Sequence, residues 1–140
     1  MSESAIHATM RALALKLVNA AATNNLDDLK DVFDPKAVIW HSTDDLTITI
    51  ADNQPIAAIF FAKVPHPHYE DIRITPFDSG YVQQHQWVGE TIDGKSFRVS
   101  ACAIMQVRDG KIVRIDEYFD SAPFIRLGLD TWLPKDRSPG

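Results

Sequence analysis

The segment GKSFRVSACAIMQVRDGKIVRIDEYFDSAPF, residues 94–124, decides the fold of this chain. Two long runs within it, residues 96–108 and 111–120, alternate apolar and polar side chains, and the pair Asp109-Gly110 separates them. An Asp-Gly pair between alternating runs is a strong signal for an antiparallel β-hairpin. The segment therefore predicts two long, adjacent, antiparallel strands.

One carboxylate interrupts the apolar face of the second strand. Side chains two residues apart share a face, so Val113, Ile115, Glu117 and Phe119 are expected to point towards the core. A carboxylate in that position needs a partner or a shifted pKa, because leaving water unpaired costs it several kcal/mol. Glu117 is therefore the first candidate functional residue. Asp120 faces the other way, and surface ion pairing is its default role.

The size and charge of the chain argue against several classes of function. With 140 residues the chain is predicted to form one domain, residues 1–140, with a flexible tail at residues 134–140. A net charge of −5 and scattered basic residues argue against nucleic acid or a membrane as a partner. A lone cysteine, Cys102, and the lack of a signal peptide or a long apolar run favour a cytoplasmic location.

The remaining residues predict helices first and strands afterwards. Apolar residues at three- and four-residue steps indicate helices over residues 4–22 and 26–33, and Asn53 can cap a third helix. Alternating or β-branched runs indicate four further strands, at residues 37–41, 46–50, 69–77 and 81–91. This order predicts an α+β domain in which a cone-shaped, curved, antiparallel or mixed sheet encloses a pocket covered by the three helices.

The order of elements, and residues 94–124 in particular, resembles the nuclear-transport-factor-2-like superfamily. Within it, the SnoaL-like polyketide cyclases, limonene-1,2-epoxide hydrolase and steroid delta-isomerase are most similar. The resemblance places Glu117 where the cyclases and the hydrolase carry a catalytic aspartate. It places His41 where the isomerase carries its proton-shuttling aspartate. Three apolar positions on the next-to-last strand match the lining of the family's pocket: Val99, Ala101 and Ala103.

Two mechanisms known from these relatives do not carry over. The epoxide hydrolase uses an Asp-Arg-Asp relay, and Gln84 and Gln86 stand at its arginine and first aspartate positions, where they supply neither charge nor basicity. The oxyanion hole of the isomerase would fall at Leu17 and Ala103, which donate no hydrogen bond. The resemblance therefore implies the fold and the pocket rather than one reaction.

We predict that Glu117 and His41 form an acid/base pair that works without a metal or a cofactor. A structural role for Glu117, hydrogen-bonded to His41, to Gln86 or to a helix terminus, remains open. Gln84 and Gln86 are expected to project into the pocket, although a one-residue slip would present His85 and Trp87 instead. The other predicted pocket residues are Trp40, Val99, Ala101, Ala103 and Phe119.

These residues favour an enzyme without deciding that the protein is one. The preferred hypothesis is an isomerase, dehydratase or cyclase that acts on a hydrophobic carbonyl, enol or epoxide compound. An epoxide hydrolase with an altered relay is less favoured. The alternative is a non-catalytic ligand-binding or dimerisation module of the same fold. A homodimer through the outer face of the sheet is expected, because an exposed aromatic such as Trp87 on that face would mark a subunit interface.

Overall fold

Four helices and six strands make up the part of the chain that the computed structural model describes, residues 3–23 and 26–128. In chain order they are α1 (Ala5–Thr23), α2 (Leu26–Val32), β1 (Phe33–His41), β2 (Leu46–Thr49), α3 (Ile50–Lys63), β3 (His68–Phe77), β4 (Gly80–Glu90), β5 (Ser96–Arg108), β6 (Lys111–Phe119) and α4 (Ala122–Arg126). The tail predicted to be flexible, residues 134–140, lies outside the described residues.

The six strands form one curved, open sheet in the order β2-β1-β6-β5-β4-β3. Strands β1 and β6 are parallel, and every other neighbouring pair is antiparallel. Helix α1 packs on β3 and β4, and α3 packs on β1 and β2. The prediction of an α+β domain with a mixed, curved sheet and helices over its concave face is confirmed. The short helix α4 adds a fourth helix near the end of the described chain.

The turn between β5 and β6 is the predicted two-residue hairpin. Asp109 and Gly110 have φ angles of 53° and 75°, and Arg108 pairs with Lys111. Positive φ at both central residues produces a turn whose twist matches the flanking strands. A β-bulge follows at Val113, so the buried residue near the start of β6 is Ile112 and not, as predicted, Val113.

The connection between β4 and β5 is one residue longer than a two-residue Asp-Gly turn. The backbone N–H of Thr91 donates to the carbonyl of Lys95 at 2.8 Å, and Gly94 takes a φ of 87° at the end of a three-residue loop. A two-residue turn would pair Val99 with Val88, whereas the longer loop pairs Val99 with Trp87. The extra residue turns the other face of β4 towards the concave side.

The prediction that Gln84 and Gln86 point into the pocket is therefore wrong. The residues of β4 that face the concave side are Gln83, His85 and Trp87, which pair with Ala103, Ala101 and Val99 of β5. The placement of His85 and Trp87 on the outer face is corrected for the same reason, because a slip of one residue exchanges the two faces of a strand.

A β-bulge in β3 determines which of its side chains point to the concave side of the sheet. Glu70 pairs with Gln86 and Arg73 with Gln84, so two residues of β3 lie opposite His85, and Asp71 among them has a φ of 53°. The extra residue reverses the alternation of the strand. As a result Tyr69 faces inwards, while Glu70 lies outside and binds the guanidinium of Arg98.

Helix α3 begins earlier than the sequence predicted. The side chain of Thr49 accepts a hydrogen bond from the N–H of Asp52 at 3.0 Å and caps the helix. Asn53, the predicted cap, lies inside the helix and lines the concave side. None of the described helices is long and apolar enough to cross a membrane.

An aromatic cluster packs beneath one end of the sheet. Phe124 of α4 lies between 5.4 and 5.7 Å, centroid to centroid, from the rings of Phe60, Trp87, Phe97 and Phe119. Its side chain is 1% exposed, whereas its neighbour Ile125 is 55% exposed. Phe124 therefore connects the last short helix to the residues that shape the concave side.

Replacing Phe124 by alanine is expected to lower the free energy of unfolding by about 3–5 kcal/mol, because it leaves a cavity among four aromatic rings. The adjacent Ile125→Ala is the matched control and should change that free energy by no more than about 0.5 kcal/mol. Urea denaturation followed by tryptophan fluorescence measures both. Equal effects of the two substitutions would contradict this account of α4.

Candidate active site

A cavity of about 200 Å³ lies between the concave face of the sheet and helices α1, α2 and α3. Most of its wall is apolar, including Leu17, Leu29, Phe60 and Phe61 from the helices. Its polar side chains include five from the sheet: His41, Tyr69, Gln83, His85 and Glu117. An apolar pocket with a few convergent polar groups is the usual form of a small-molecule site.

The parallel pairing of β1 with β6 brings His41 and Glu117 together. They are direct partners in the register, and the N–H of Ser42 donates to the carbonyl of Glu117 at 2.9 Å. The Nε2 atom of His41 lies 3.5 Å from Oε2 of Glu117, with the side chains 12% and 26% exposed. The two residues that the sequence singled out thus lie side by side in one cavity.

Opposing effects act on the pKa of His41. Burial alone would lower the pKa, but the hydrogen bond to Glu117 and the charges of Glu117 and Asp44 together raise it above its ordinary value of 6.5. Because the folded pKa exceeds the unfolded one, the charged pair adds stability below pH 6.5 and loses it as the pH rises through the folded pKa. The site therefore favours a protonated His41 beside the carboxylate.

Neutral polar groups lie on the opposite wall. The amide Nε2 of Gln83 donates to Nδ1 of His85 at 3.1 Å, which leaves the proton of a neutral imidazole on Nε2. Burial lowers the pKa of His85, with only partial opposition from the charge of Glu117. Burial and the same charge raise the pKa of Tyr69, whose ring centroid lies 4.3 Å from that of His85. Both side chains are thus uncharged near neutral pH and within the electrostatic influence of Glu117.

One row of the sheet connects the two walls. His41, Glu117, Ala103 and Gln83 are successive partners on β1, β6, β5 and β4. Neighbouring strands are about 4.8 Å apart, so the backbones at Glu117 and Gln83 are separated by about 10 Å. Between them Ala103 contributes only a methyl group. A small molecule above Ala103 would contact the carboxylate on one side and the neutral polar groups on the other.

The structure places some of the predicted substrate-binding residues elsewhere. Gln84 and Gln86 line a groove on the outer face of the sheet, where Gln86 donates to Oγ of Ser100 at 2.8 Å. Trp40 also faces outwards, because it precedes His41 on the strand, and its indole N–H donates to Asp45 at 2.8 Å. Its predicted position in the pocket is wrong.

The predicted residues of β5 and β6 lie on the concave side, with different access to the cavity. Ala103 and Phe119 line it. Val99 faces the same way but is covered by the aromatic cluster around Phe124. Ala101 is flanked by its partners His85 and Phe119, and its own side chain is buried.

Tyr69, Gln83, His85 and Trp87 are the site residues that the predicted set lacked. A usable signal lay in β5, where five apolar residues recur on one face: Phe97, Val99, Ala101, Ala103 and Met105. The β4 partners of that face must also point inwards. Which β4 residues are those partners depends on the length of the β4–β5 loop. No group of three or more histidine, cysteine, aspartate or glutamate side chains is placed to hold a metal ion within residues 3–23 and 26–128.

Comparison with known proteins agrees with the fold and identifies the family. The open, curved sheet and its covering helices have the same fold as solved structures described as SnoaL-like and NTF2-like. Residues 14–115 match the SnoaL-like domain family, and the chain belongs to that family. No curated protein matches the sequence significantly.

Solved structures share the fold at low sequence identity. PrhC from Penicillium brasilianum superimposes with a TM-score of 0.80 at 13% identity, covering 91% of this chain and 98% of its own. A SnoaL-like candidate polyketide cyclase from Jannaschia sp. CCS1 gives 0.74 at 15%, covering 96% and 99%. A phenazine biosynthesis-related protein from Pseudomonas aeruginosa gives 0.73 at 17%, covering 100% and 93%. At these identities the likeness concerns the fold alone.

The two histidines of the cavity are expected to titrate on opposite sides of pH 6.5, His41 above and His85 below. Replacing Glu117 by glutamine should lower both pKa values, since its negative charge raises each of them. For His41 the effect of burial is then largely unopposed, and its pKa should fall towards or below 6.5. Histidine ring resonances followed by NMR over the range of imidazole titration, about pH 4–9, measure both values.

Glu70→Gln is the matched control for this titration. Glu70 lies on the outer face and pairs with His68 and Arg98, so its loss should leave the pKa of His41 unchanged. An unchanged pKa of His41 in Glu117→Gln would show that the two side chains are not coupled in solution.

Proposed function

We propose that this SnoaL-like protein is a cofactor-independent enzyme that moves a proton at a carbon atom next to a carbonyl group. Isomerisation, dehydration and aldol-type cyclisation all begin with this step, which belongs to general acid–base catalysis. Glu117 is the proposed base, and His41 is its positioning and proton-returning partner.

The incomplete pairing of Glu117 supports this proposal most directly. Within the described residues, Nε2 of His41 is the single side-chain donor near its carboxylate, at 3.5 Å, and the carboxylate faces a cavity. A carboxylate with a purely structural role normally accepts several hydrogen bonds, whereas this half-buried side chain has one long contact. One long contact leaves lone pairs of Glu117 available for a substrate proton.

The opposite wall supports a role in charge stabilisation. When Glu117 removes the proton, the C–H electron pair moves into the new C=C bond and negative charge develops on the carbonyl oxygen. The Nε2–H of His85 and the hydroxyl of Tyr69 are neutral donors on the far side of Ala103. Preorganised donors at the position of developing charge are a major source of rate enhancement.

His41 completes the proposed cycle. Its raised pKa favours a protonated imidazole, whose Nε2 lies 3.5 Å from the Glu117 carboxylate. After the carbon–carbon double bond has formed, either His41 or the protonated Glu117 returns a proton to the substrate. The description of the Jannaschia neighbour as a candidate polyketide cyclase is consistent with carbonyl chemistry in this fold.

A non-catalytic binding module remains the competing function. It would use the same cavity but would need Glu117 for stability, so that its replacement lowered the melting temperature without affecting any rate. No feature of the carboxylate's surroundings favours this function, since its one long contact contributes little to packing.

Exchange of α-protons of small ketones into D₂O, followed by ¹H NMR, tests the proposal and does not require the natural substrate. The wild-type protein is expected to accelerate exchange in at least one ketone of a panel. Glu117→Gln should slow that exchange by about 10²–10⁴-fold, because the side chain keeps its shape and loses its basicity.

Asp116→Asn is the matched control for the exchange experiment. Asp116 is the preceding residue on β6, faces the other side of the sheet and pairs with Arg114. Its replacement should leave the exchange rate within about twofold of wild type, well below the change expected for a catalytic group. Full exchange activity in Glu117→Gln would refute the proposed role of the carboxylate.

A further inference from the structure

The cavity is small for a small-molecule site, since ligand pockets in proteins commonly enclose about 300–1,000 Å³. Its volume is about 200 Å³. An apolar protein cavity of about 150 Å³ holds one benzene molecule, so in proportion this cavity holds roughly eight non-hydrogen atoms. The separation of about 10 Å between the strands that bear Glu117 and Gln83 gives a similar limit. One substituted ring fills this space, and a fused three-ring system exceeds it.

The charges around the cavity select against anions. Glu117 is the one carboxylate in its wall, and within residues 3–23 and 26–128 neither a lysine nor an arginine lines it. His41 carries the nearest positive charge and is engaged by Glu117 at 3.5 Å. A ligand carboxylate would thus meet a like charge without a free cation, which opposes its binding. The site therefore favours an uncharged molecule.

A buried acceptor lacks a partner in the wall. Gln83 is 2% exposed, and its amide nitrogen is used by His85, while its Oε1 atom is buried with no hydrogen-bond partner. An unpaired buried acceptor costs about 1–3 kcal/mol, a cost that a ligand donor would remove. Gln83 lines the cavity, so a small rotation of its side chain would present this oxygen to a hydroxyl group of a bound molecule.

Aromatic rings line the same space. The rings of Phe60 and Trp87 are stacked with centroids 4.5 Å apart, and the ring of Tyr69 lies 6.4 Å from that of Trp87. Phe61 and Phe119 also contribute to the wall. Flat, unsaturated rings pack favourably on such surfaces in offset or edge-to-face geometry.

From these observations we infer that the substrate is an uncharged, single-ring, unsaturated ketone with a hydroxyl group that donates to Oε1 of Gln83. The inference rests on the proposed function in taking the cavity as the substrate site and in requiring a carbonyl. Its other four parts come from volume, charge, the unpaired acceptor and the aromatic wall, none of which depends on Glu117 acting as a base.

Isothermal titration calorimetry with a matched set of small molecules tests the inference. The set contains acetophenone, its three positional hydroxy isomers, the corresponding hydroxybenzoates and a hydroxylated three-ring quinone. At least one hydroxyacetophenone should bind about tenfold more tightly than acetophenone, which lacks the donor. The hydroxybenzoate of the same shape should bind at least about tenfold more weakly than that ketone, and the three-ring compound should not bind.

The variant Gln83→Met separates the hydroxyl contact from general packing. It removes the acceptor at similar volume, so the hydroxyacetophenone and acetophenone should bind it with equal affinity. This comparison is a double-mutant cycle in which one partner is the ligand. If the variant does not fold, as judged by thermal unfolding, the ligand comparisons on the wild-type protein test the inference by themselves.

Several results would overturn the inference. The inference fails if the three-ring compound or the hydroxybenzoate binds as tightly as the best hydroxyacetophenone. It also fails if acetophenone and all its hydroxy isomers bind with the same affinity, or if no member of the set binds. Because binding is measured at equilibrium, any of these results leaves the proton-transfer proposal to its own exchange experiment. Full exchange activity in Glu117→Gln, with the hydroxyl-dependent binding intact, would refute the proton-transfer role and leave the ligand inference standing.

Discussion

The parallel pairing of β1 with β6 is the interaction on which the candidate site depends. It joins the first strand to the last one and fixes His41 opposite Glu117 through the backbone, with Ser42 bonded to the carbonyl of Glu117. Side chains held by neighbouring strands of one sheet need little reorganisation to act together, and such rigid support is what precise chemistry requires. The remaining strands of the sheet then supply the apolar floor and the far wall.

The polar groups of the cavity form two sets, a charged pair on one wall and neutral groups on the other. A protonated His41 forms an ion pair with Glu117 on one wall, while Tyr69, Gln83 and His85 are neutral on the other. The low polarity of the surroundings sharpens this division, because burial disfavours any isolated charge and suppresses protonation of His85. A carboxylate that faces neutral donors across a narrow apolar space is an arrangement suited to moving one proton and stabilising the charge that results.

The sequence predicted the positions of the strands well, but it predicted less well which face of each strand points to the concave side. Strand β5 has the predicted bounds, and Glu117 was found because it interrupts an otherwise apolar face. The orientation of β4 was predicted wrongly because both of its faces carry polar residues, so hydrophobic alternation does not distinguish them. The length of the β4–β5 loop decides which face points inwards, and the amino-acid composition does not give that length. Tyr69 was missed for a related reason. The bulge at Asp71 reverses the inward–outward alternation of side chains along β3, and no sequence pattern in β3 predicts that bulge.

The position of β6 in the sheet has a consequence for biosynthesis. Strand β1 leaves the ribosome early, but its neighbour on the inner side is β6, which emerges after all the other strands. Until then the aromatic residues of α3, β4 and β5 have no complete sheet to bury them, and contacts between such distant segments form slowly. The nascent chain thus exposes an apolar surface until the last strand is released, and its demand for chaperones should fall at that point.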